Sequence, residues 1–146
     1  TKLLKELSNK VPGTFHHSLN VANLAEASAN EIGANAMLVR VGALYHDIGK
    51  MKNPTYFTEN QSTGINPHDE LSSKESASII IKHVIEGIEI AKKNNLPDRV
   101  IDFIRTHHGT SLVYYFYNQE KTLKGLQILK ILNTQVQVLL VKKQQY

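Results

Sequence analysis

Apolar residues that recur every three or four positions, in runs separated by glycine, proline or asparagine, constrain this chain more than any other feature. Such spacing places one apolar stripe along a helix, whereas a half-buried strand requires strict alternation of polar and apolar residues. No convincing alternation occurs before residue 133. The pattern predicts an all-α fold, with helices over residues 1–10, 15–32, 36–48, 73–94 and 97–108.

Residues typical of helix boundaries lie at the limits of these runs. Short polar side chains accept hydrogen bonds from the free N–H groups of a helix start, and glycine adopts the left-handed conformation that ends many helices. The predicted starts are an N-cap at Thr14, an N-cap at Asn35, a capping box from Ser72 to Glu75, and Pro97 at a first helical position. The predicted ends are Gly33, Gly49 as the residue after the helix, Asn94-Asn95 and Gly109.

Two segments do not follow the helical pattern. Residues 51–71 contain several asparagines, glycine and proline, which predicts a long ordered loop or a mobile flap. Residues 111–118 are rich in aromatic side chains and are predicted to be helical or a tight extension.

The composition excludes several classes of protein. The 146 residues suit one domain, and the absence of cysteine rules out disulfides and thiolate metal ligands and permits a reducing, cytosolic setting. There is no run of ~18 apolar residues that would cross a membrane. The net charge of +4 is not gathered into a basic stripe, so duplex nucleic acid is not an expected partner.

Seven histidines are present, six of them on the predicted helices, and His46 on one of these helices directly precedes Asp47. Imidazole and carboxylate ligands drawn from several helices are typical of a metal site in a bundle, and they suit iron, manganese, cobalt or zinc better than calcium. These histidines also have structural explanations. His83 has apolar neighbours and can be a core residue, and the two histidine pairs lie at helix ends, where solvent-exposed side chains are common. The candidate residues are His16-His17, His46-Asp47, His83 and His107-His108.

Several motifs in order along residues 1–120 resemble one family. They read PGTFHHSL at 12–19, HDIGK at 46–50, ENQ at 59–61, NPHD at 66–69, HHGT at 107–110 and YFY at 115–117. The chain resembles the HD-domain metal-dependent phosphohydrolases, and in particular the cytoplasmic domain of membrane-anchored HD phosphodiesterases that hydrolyse cyclic di-AMP. This resemblance implies an HD-domain helical bundle, a cytoplasmic location and a parent protein in the cell membrane.

The resemblance also implies a site for two divalent transition metal ions, with iron or manganese first and cobalt or zinc as alternatives. One ion would be held by His17, His46 and Asp47. The other would be held by His83, His107 and His108, with Asp47 bridging the two ions. A hydroxide between the metals would attack phosphorus, which makes Asp47 a catalytic residue in this reading.

Further residues are implied to contact the substrate. Lys50 is expected to hold a phosphate oxygen and to take part in catalysis, although a solvated lysine at a helix end is the alternative. Asn66 and His68 are expected to line the nucleotide pocket, with ordinary turn chemistry as their alternative. Thr110 is a further substrate candidate, and Tyr114 is a weaker one.

The end of the chain departs from the family pattern. The resemblance implies one more aspartate on the first metal, from a later helix, but no aspartate follows Asp102. Codons compatible with residues 133–146, read from the third base of Asn133, permit a segment like the one expected, beginning Tyr-Pro-Gly-Pro. These observations predict a truncated HD phosphohydrolase domain over 1–128 without its last helix or helices, and a non-native tail over 129–146 after a frameshift near 124–129.

A genuinely divergent tail is the alternative to the frameshift. In either case the missing carboxylate predicts an asymmetric site, in which the second metal position is better occupied than the first. The function predicted is hydrolysis of the phosphodiester of cyclic di-AMP. The alternatives are another HD nucleotide phosphohydrolase, such as a nucleotidase or a guanosine tetraphosphate hydrolase, and a non-catalytic nucleotide-binding domain. The oligomeric state stays open.

Overall fold

The structure is a computed structural model that describes residues 1–109, and these residues form helices connected by turns. The α-helices are α1 (Lys2–Lys10), α2 (Pro12–Glu31), α3 (Ala36–Tyr45), α4 (Ser73–Lys93) and α5 (Asp98–Thr106). Short 3₁₀ turns occupy Ile48–Lys52, Pro54–Tyr56, Thr58–Asn60 and Pro67–Glu70. The described residues contain no strand, and the predicted all-α class is confirmed.

Several predicted helix boundaries are confirmed by their hydrogen bonds and backbone angles. The Ser72 hydroxyl accepts a bond from the Glu75 N–H at 3.3 Å, and the Glu75 carboxylate accepts one from the Ser72 N–H at 3.0 Å. The Asn35 side chain accepts a bond from the Leu38 N–H at 3.0 Å. Gly33, which follows α2, is left-handed with φ of +68°. These helix-capping residues therefore have the roles that their residue types predict.

The start of α2 differs from the prediction. The helix begins at Pro12, with Val11 in the N-cap position, so the assignment of Thr14 as an N-cap is wrong. Proline lacks an N–H and has a helical φ, which favours the first helical position. Thr14 lies inside the first turn and is fully buried. Pro97, predicted as the first residue of the fifth helix, is instead the N-cap residue of α5.

The end of α3 also differs from the prediction. The helix ends at Tyr45, before the predicted limit of 48, and a 3₁₀ turn follows over Ile48–Lys52. Gly49 lies inside this turn and does not end a helix. A Cβ atom on Gly49 would lie 1.7 Å from the carbonyl oxygen of His83, so glycine is required here for close contact with α4. The chain therefore brings the residues after His46 directly against the middle of α4.

The hydrophobic core lies behind this turn. Leu3, Leu7 and Val11 of the α1 segment pack into the same cluster as Ile48 and Met51, together with α5 residues. Ile48 is fully buried, so the backbone next to Asp47 is held by the core itself. Among the described residues, no helix combines the length and apolar character needed to cross a membrane.

Candidate metal centre

The six predicted metal ligands lie together in two groups. Within each group the potential ligand atoms are all within 4.8 Å of one another. α2 contributes one residue, the end of α3 contributes two, α4 contributes one, and the turn after α5 contributes two. The first group is His17, His46 and Asp47, and the second group is His83, His107 and His108.

Asp47 belongs to the first group, also contacts two histidines of the second group, and is 4% exposed. Its Oδ2 atom is 3.2 Å from Nε2 of His46. Its Oδ1 atom is 3.3 Å from Nε2 of His83 and 3.3 Å from Nε2 of His107. Oδ1 is buried without a hydrogen-bond partner, which is unfavourable for a carboxylate oxygen unless a cation lies among these atoms.

Three of the imidazoles are oriented by the backbone of their own helix turn. In each, Nδ1 contacts the carbonyl oxygen of the residue three positions earlier. A carbonyl can only accept, so Nδ1 carries the proton and Nε2 of the neutral ring has its lone pair free for a metal. The pairs are His46 with Ala43 at 2.6 Å, His107 with Ile104 at 2.8 Å, and His83 with Ile80.

The spacing of the Nε2 atoms fits metal coordination. Nε2 of His83 lies 3.1 Å from Nε2 of His108 and 3.4 Å from Nε2 of His107. Nitrogens bound to one ion at about 2.1 Å are separated by roughly 3.0–3.4 Å in octahedral or tetrahedral geometry. Lone pairs facing each other at this distance repel unless a cation lies between them. The residues present can therefore hold divalent metal.

The electrostatics leave Asp47 ionised. Burial acts to raise the pKa of Asp47, but the imidazoles of His107, His46 and His83 outweigh it and hold that pKa well below its ordinary value. Burial acts to lower the pKa of His46, but Asp47 raises it overall. Burial, together with the neighbouring His107 and His83, lowers the pKa of His108 to about 4. His108 is thus unprotonated near neutral pH, as metal ligation requires.

Lys50 is bound to two carboxylates. Its Nζ atom lies 2.9 Å from Asp47 Oδ2 and 2.6 Å from Glu59 Oε1, and its side chain is only 14% exposed. Burial acts to lower the pKa of Lys50, but Asp47 and Glu59 raise it overall. The alternative of a solvated helix-end lysine does not describe this largely buried side chain.

A cleft of about 580 Å³ opens beside the second group. His83 and His108 line it, together with the predicted substrate residues Lys50, Asn66 and His68. Asn66 also accepts a bond from the His68 N–H at 3.2 Å, and Nε2 of His68 lies 2.8 Å from the Tyr56 carbonyl oxygen. Asn66 and His68 therefore make hydrogen bonds within and between the turns and also line the cleft.

Some residues fall outside what the structure describes, and others were missed from the sequence. Thr110, Tyr114, the aromatic segment 111–118 and the tail 129–146 all lie beyond residue 109. In the sequence Glu59 is part of the ENQ motif, and nothing there identifies it as the partner of Lys50. The Phe57 ring, 5.5 Å from the His83 ring between centroids, was not identified. Neither contact has a signature in local residue spacing.

One histidine from α2, a His-Asp pair after α3, a histidine from α4 and a His-His pair after α5 together define an HD-type metal centre. The model of the HD domain matches residues 14–134, and the chain belongs to this family. It is 56% identical over 119 residues to the cyclic-di-AMP phosphodiesterase PgpH of Listeria monocytogenes, covering 82% of this chain and 17% of that protein. It is 48% identical over 126 residues to PgpH of Bacillus subtilis, and the match covers 86% of this chain and 18% of that protein.

A solved structure agrees with the fold. The crystal structure of the L. monocytogenes phosphodiesterase PgpH HD domain in complex with cyclic di-AMP has a TM-score of 0.80 and 55% identity, and the match covers 83% of this chain and 56% of that chain. The resemblance to HD phosphohydrolases is thereby confirmed. The chain spans less than a fifth of the length of the two PgpH proteins.

Proposed function

We propose that this chain is the catalytic HD domain of a metal-dependent phosphodiesterase that hydrolyses cyclic di-AMP. The observation that carries the proposal is the buried Asp47 carboxylate, shared between two groups of imidazoles at the edge of a cleft. A cleft of about 580 Å³ is within the range of small-molecule sites. The identity to two cyclic-di-AMP phosphodiesterases supports the choice of substrate.

Two divalent cations would occupy the centre, with iron or manganese first and cobalt or zinc as alternatives. His17, His46 and Asp47 would hold one ion, while His83, His107, His108 and Asp47 would hold the other. When bound, the metals would supply a nucleophile at neutral pH and neutralise charge that develops on the phosphoryl group. The Nδ1 to carbonyl contacts support these roles because they keep the rings of His46, His83 and His107 oriented.

The remaining residues would bind the nucleotide. An ammonium group has three N–H donors. Asp47 and Glu59 account for two contacts of Lys50, and a third donor would serve a phosphate oxygen in the cleft. Asn66 and His68, which also line the cleft, would contact the nucleotide. Thr110 is proposed for the same role from the sequence alone.

The domain would belong to a longer membrane protein and face the cytoplasm. We further propose that the HD domain covers 1–128 and that residues 129–146 are a frameshifted tail. The missing aspartate would leave the first metal position the weaker one. Sequencing of the gene tests this proposal, since an in-frame gene without a single-base difference from longer relatives would exclude a frameshift.

The experiment that tests the function measures metal content and then hydrolysis. The chain is purified without a chelator or a histidine tag, loaded anaerobically with Mn²⁺ or Fe²⁺, and incubated with cyclic di-AMP, guanosine tetraphosphate or a nucleoside monophosphate. Cleavage of cyclic di-AMP in preference to the others supports the proposal. Saturable binding without turnover in a fully loaded chain would indicate a nucleotide-binding domain, and preferential cleavage of another substrate would overturn the assignment.

A further inference from the structure

The start of the motif at 12–19 and the motif at 59–61, whose residues the catalytic proposal leaves without a role, contact each other in the structure. Gly13 and Thr14 of α2 pack on the 3₁₀ turn that contains Glu59 and Asn60. A Cβ atom on Gly13 would lie 1.8 Å from the Glu59 carbonyl oxygen, so only glycine permits this approach. The Thr14 N–H donates to Asn60 Oδ1 at 3.0 Å, and the Asn60 amide donates to the Thr14 hydroxyl at 2.9 Å.

The Glu59 carboxylate connects this contact to the metal centre. The Thr14 hydroxyl donates to Glu59 Oε1 at 3.0 Å, and Lys50 donates to the same oxygen at 2.6 Å. Lys50 Nζ in turn lies 2.9 Å from Asp47 Oδ2. A chain of contacts thus runs from α2, which carries His17, through Glu59 and Lys50 to the shared carboxylate.

We propose that Glu59 is a positioning residue for the metal centre, acting through Lys50 on Asp47. This inference rests on the proposed metal site. Without Glu59, the Lys50 ammonium would be held by Asp47 alone and would compete directly with metal for Oδ2. Glu59 divides the interactions of Lys50 between two carboxylates and keeps the side chain in one place.

Charge supports the same conclusion. Asp47 is the one carboxylate among the six described ligand residues, and the Lys50 ammonium next to it cancels its formal charge. The Glu59 carboxylate restores a net charge of −1 to the three groups. The Lys50 and Glu59 side chains are 14% and 28% exposed, so water screens their interaction only in part. Glu59 therefore offsets the positive charge that Lys50 brings next to Asp47, so this effect also acts through Lys50 and favours divalent cations.

The test is a double-mutant cycle on Mn²⁺ affinity of the full chain, read as free Mn²⁺ by electron paramagnetic resonance. Partners of metal ligands typically contribute about 10- to 100-fold to affinity. Glu59→Gln retains the size of the side chain and one acceptor oxygen but not the charge, and at least a tenfold weaker affinity is expected. In a Lys50→Met background the same substitution is expected to change affinity by less than about threefold, because Glu59 acts through Lys50.

Controls separate this inference from other effects. Glu26→Gln removes a carboxylate of similar exposure, 33%, that pairs with Arg40, and it should leave Mn²⁺ affinity unchanged. Thr14→Val removes the hydroxyl that Glu59 accepts from, and an intermediate loss is expected. Circular dichroism melts of the metal-free variants identify any that fail to fold.

The outcomes distinguish this inference from the proposed function. No Mn²⁺ binding by the unmodified chain would remove the proposed metal site itself. Mn²⁺ binding that is unaffected by Glu59→Gln would overturn the positioning role alone. An equal loss with and without Lys50 would also overturn it, because Glu59 would then act independently of the lysine.

Discussion

Replacing Gly49 with alanine is expected to separate the two halves of the metal centre. The new Cβ would lie 1.7 Å from the His83 carbonyl oxygen and 2.7 Å from the Gly87 nitrogen, and both atoms belong to the backbone of α4. An ordinary carbon-to-oxygen contact is about 3.3 Å. The 3₁₀ turn and α4 must therefore move apart by about 1.5 Å, because neither backbone atom can rotate away.

This displacement falls between two proposed ligands of one metal. Asp47 Oδ1 and His83 Nε2 are now 3.3 Å apart. A shift of about 1.5 Å along that line would place them about 4.8 Å apart, but two atoms bound to one ion at about 2.1 Å can be no more than about 4.2 Å apart. We expect Gly49→Ala to lose metal from the second position and to lower the free energy of unfolding by about 1–3 kcal/mol or more.

The assay combines elemental analysis with chemical denaturation of the metal-free chain. Gly33→Ala is the matched control, because its Cβ would meet no atom within 4 Å while its φ of +68° gives a backbone cost without any contact with α4. The control is expected to lose some stability and to retain its metal. If Gly49→Ala binds as much metal as the unmodified chain, the proposed dependence of the site on this close contact is wrong.

Three further predictions concern ligands and core. Asp47→Ala is expected to release both metal ions, as it removes the carboxylate shared by the two groups; elemental analysis showing full retention would refute the bridging role. The pKa of His46 is raised, whereas burial, His107 and His83 lower the pKa of His108 to about 4. Near neutral pH, protons therefore compete with metal at His46 but not at His108. The apparent Mn²⁺ affinity should therefore rise as pH rises, on the order of tenfold per pH unit below the pKa of His46, and a flat titration between about pH 5.5 and 6.5 would contradict this. Leu7→Ala should lower the free energy of unfolding by about 2–5 kcal/mol, since Leu7 is fully buried in the core. A loss below about 1 kcal/mol in denaturant melts would contradict this and show that the core around Leu7 collapses to fill the cavity.

Because the centre has few carboxylate ligands, its affinity for metal depends on the charged side chains next to them. Among the described ligand residues Asp47 alone carries a negative charge, and its partner Lys50 offsets that charge. Weak occupancy of the first metal position would follow if no further carboxylate reaches it. Measurements on this chain therefore need added metal, and metal content has to be known before a rate is interpreted.

Much of the local structure could be predicted from the sequence. The capping box at Ser72, the Asn35 cap and the left-handed Gly33 depend on side chains within a few residues, so residue type alone identifies them. The apolar period identified α4 and α5 to within a few residues. Thr14 was assigned wrongly because a threonine near a helix start has two uses, capping and tertiary contact, and local spacing does not distinguish them.

The sequence by itself determined the helical class, the imidazole and carboxylate chemistry of the ligands and, through its ordered motifs, the HD family. Only the tertiary structure decided that Gly49 serves a backbone contact with α4 and that Glu59 joins Thr14 to Lys50. Thr14 and Asn60 are 46 positions apart, and the free energy of such a contact depends on how two separate backbones approach. That approach is fixed by the packing of the whole core, which no short stretch of sequence contains.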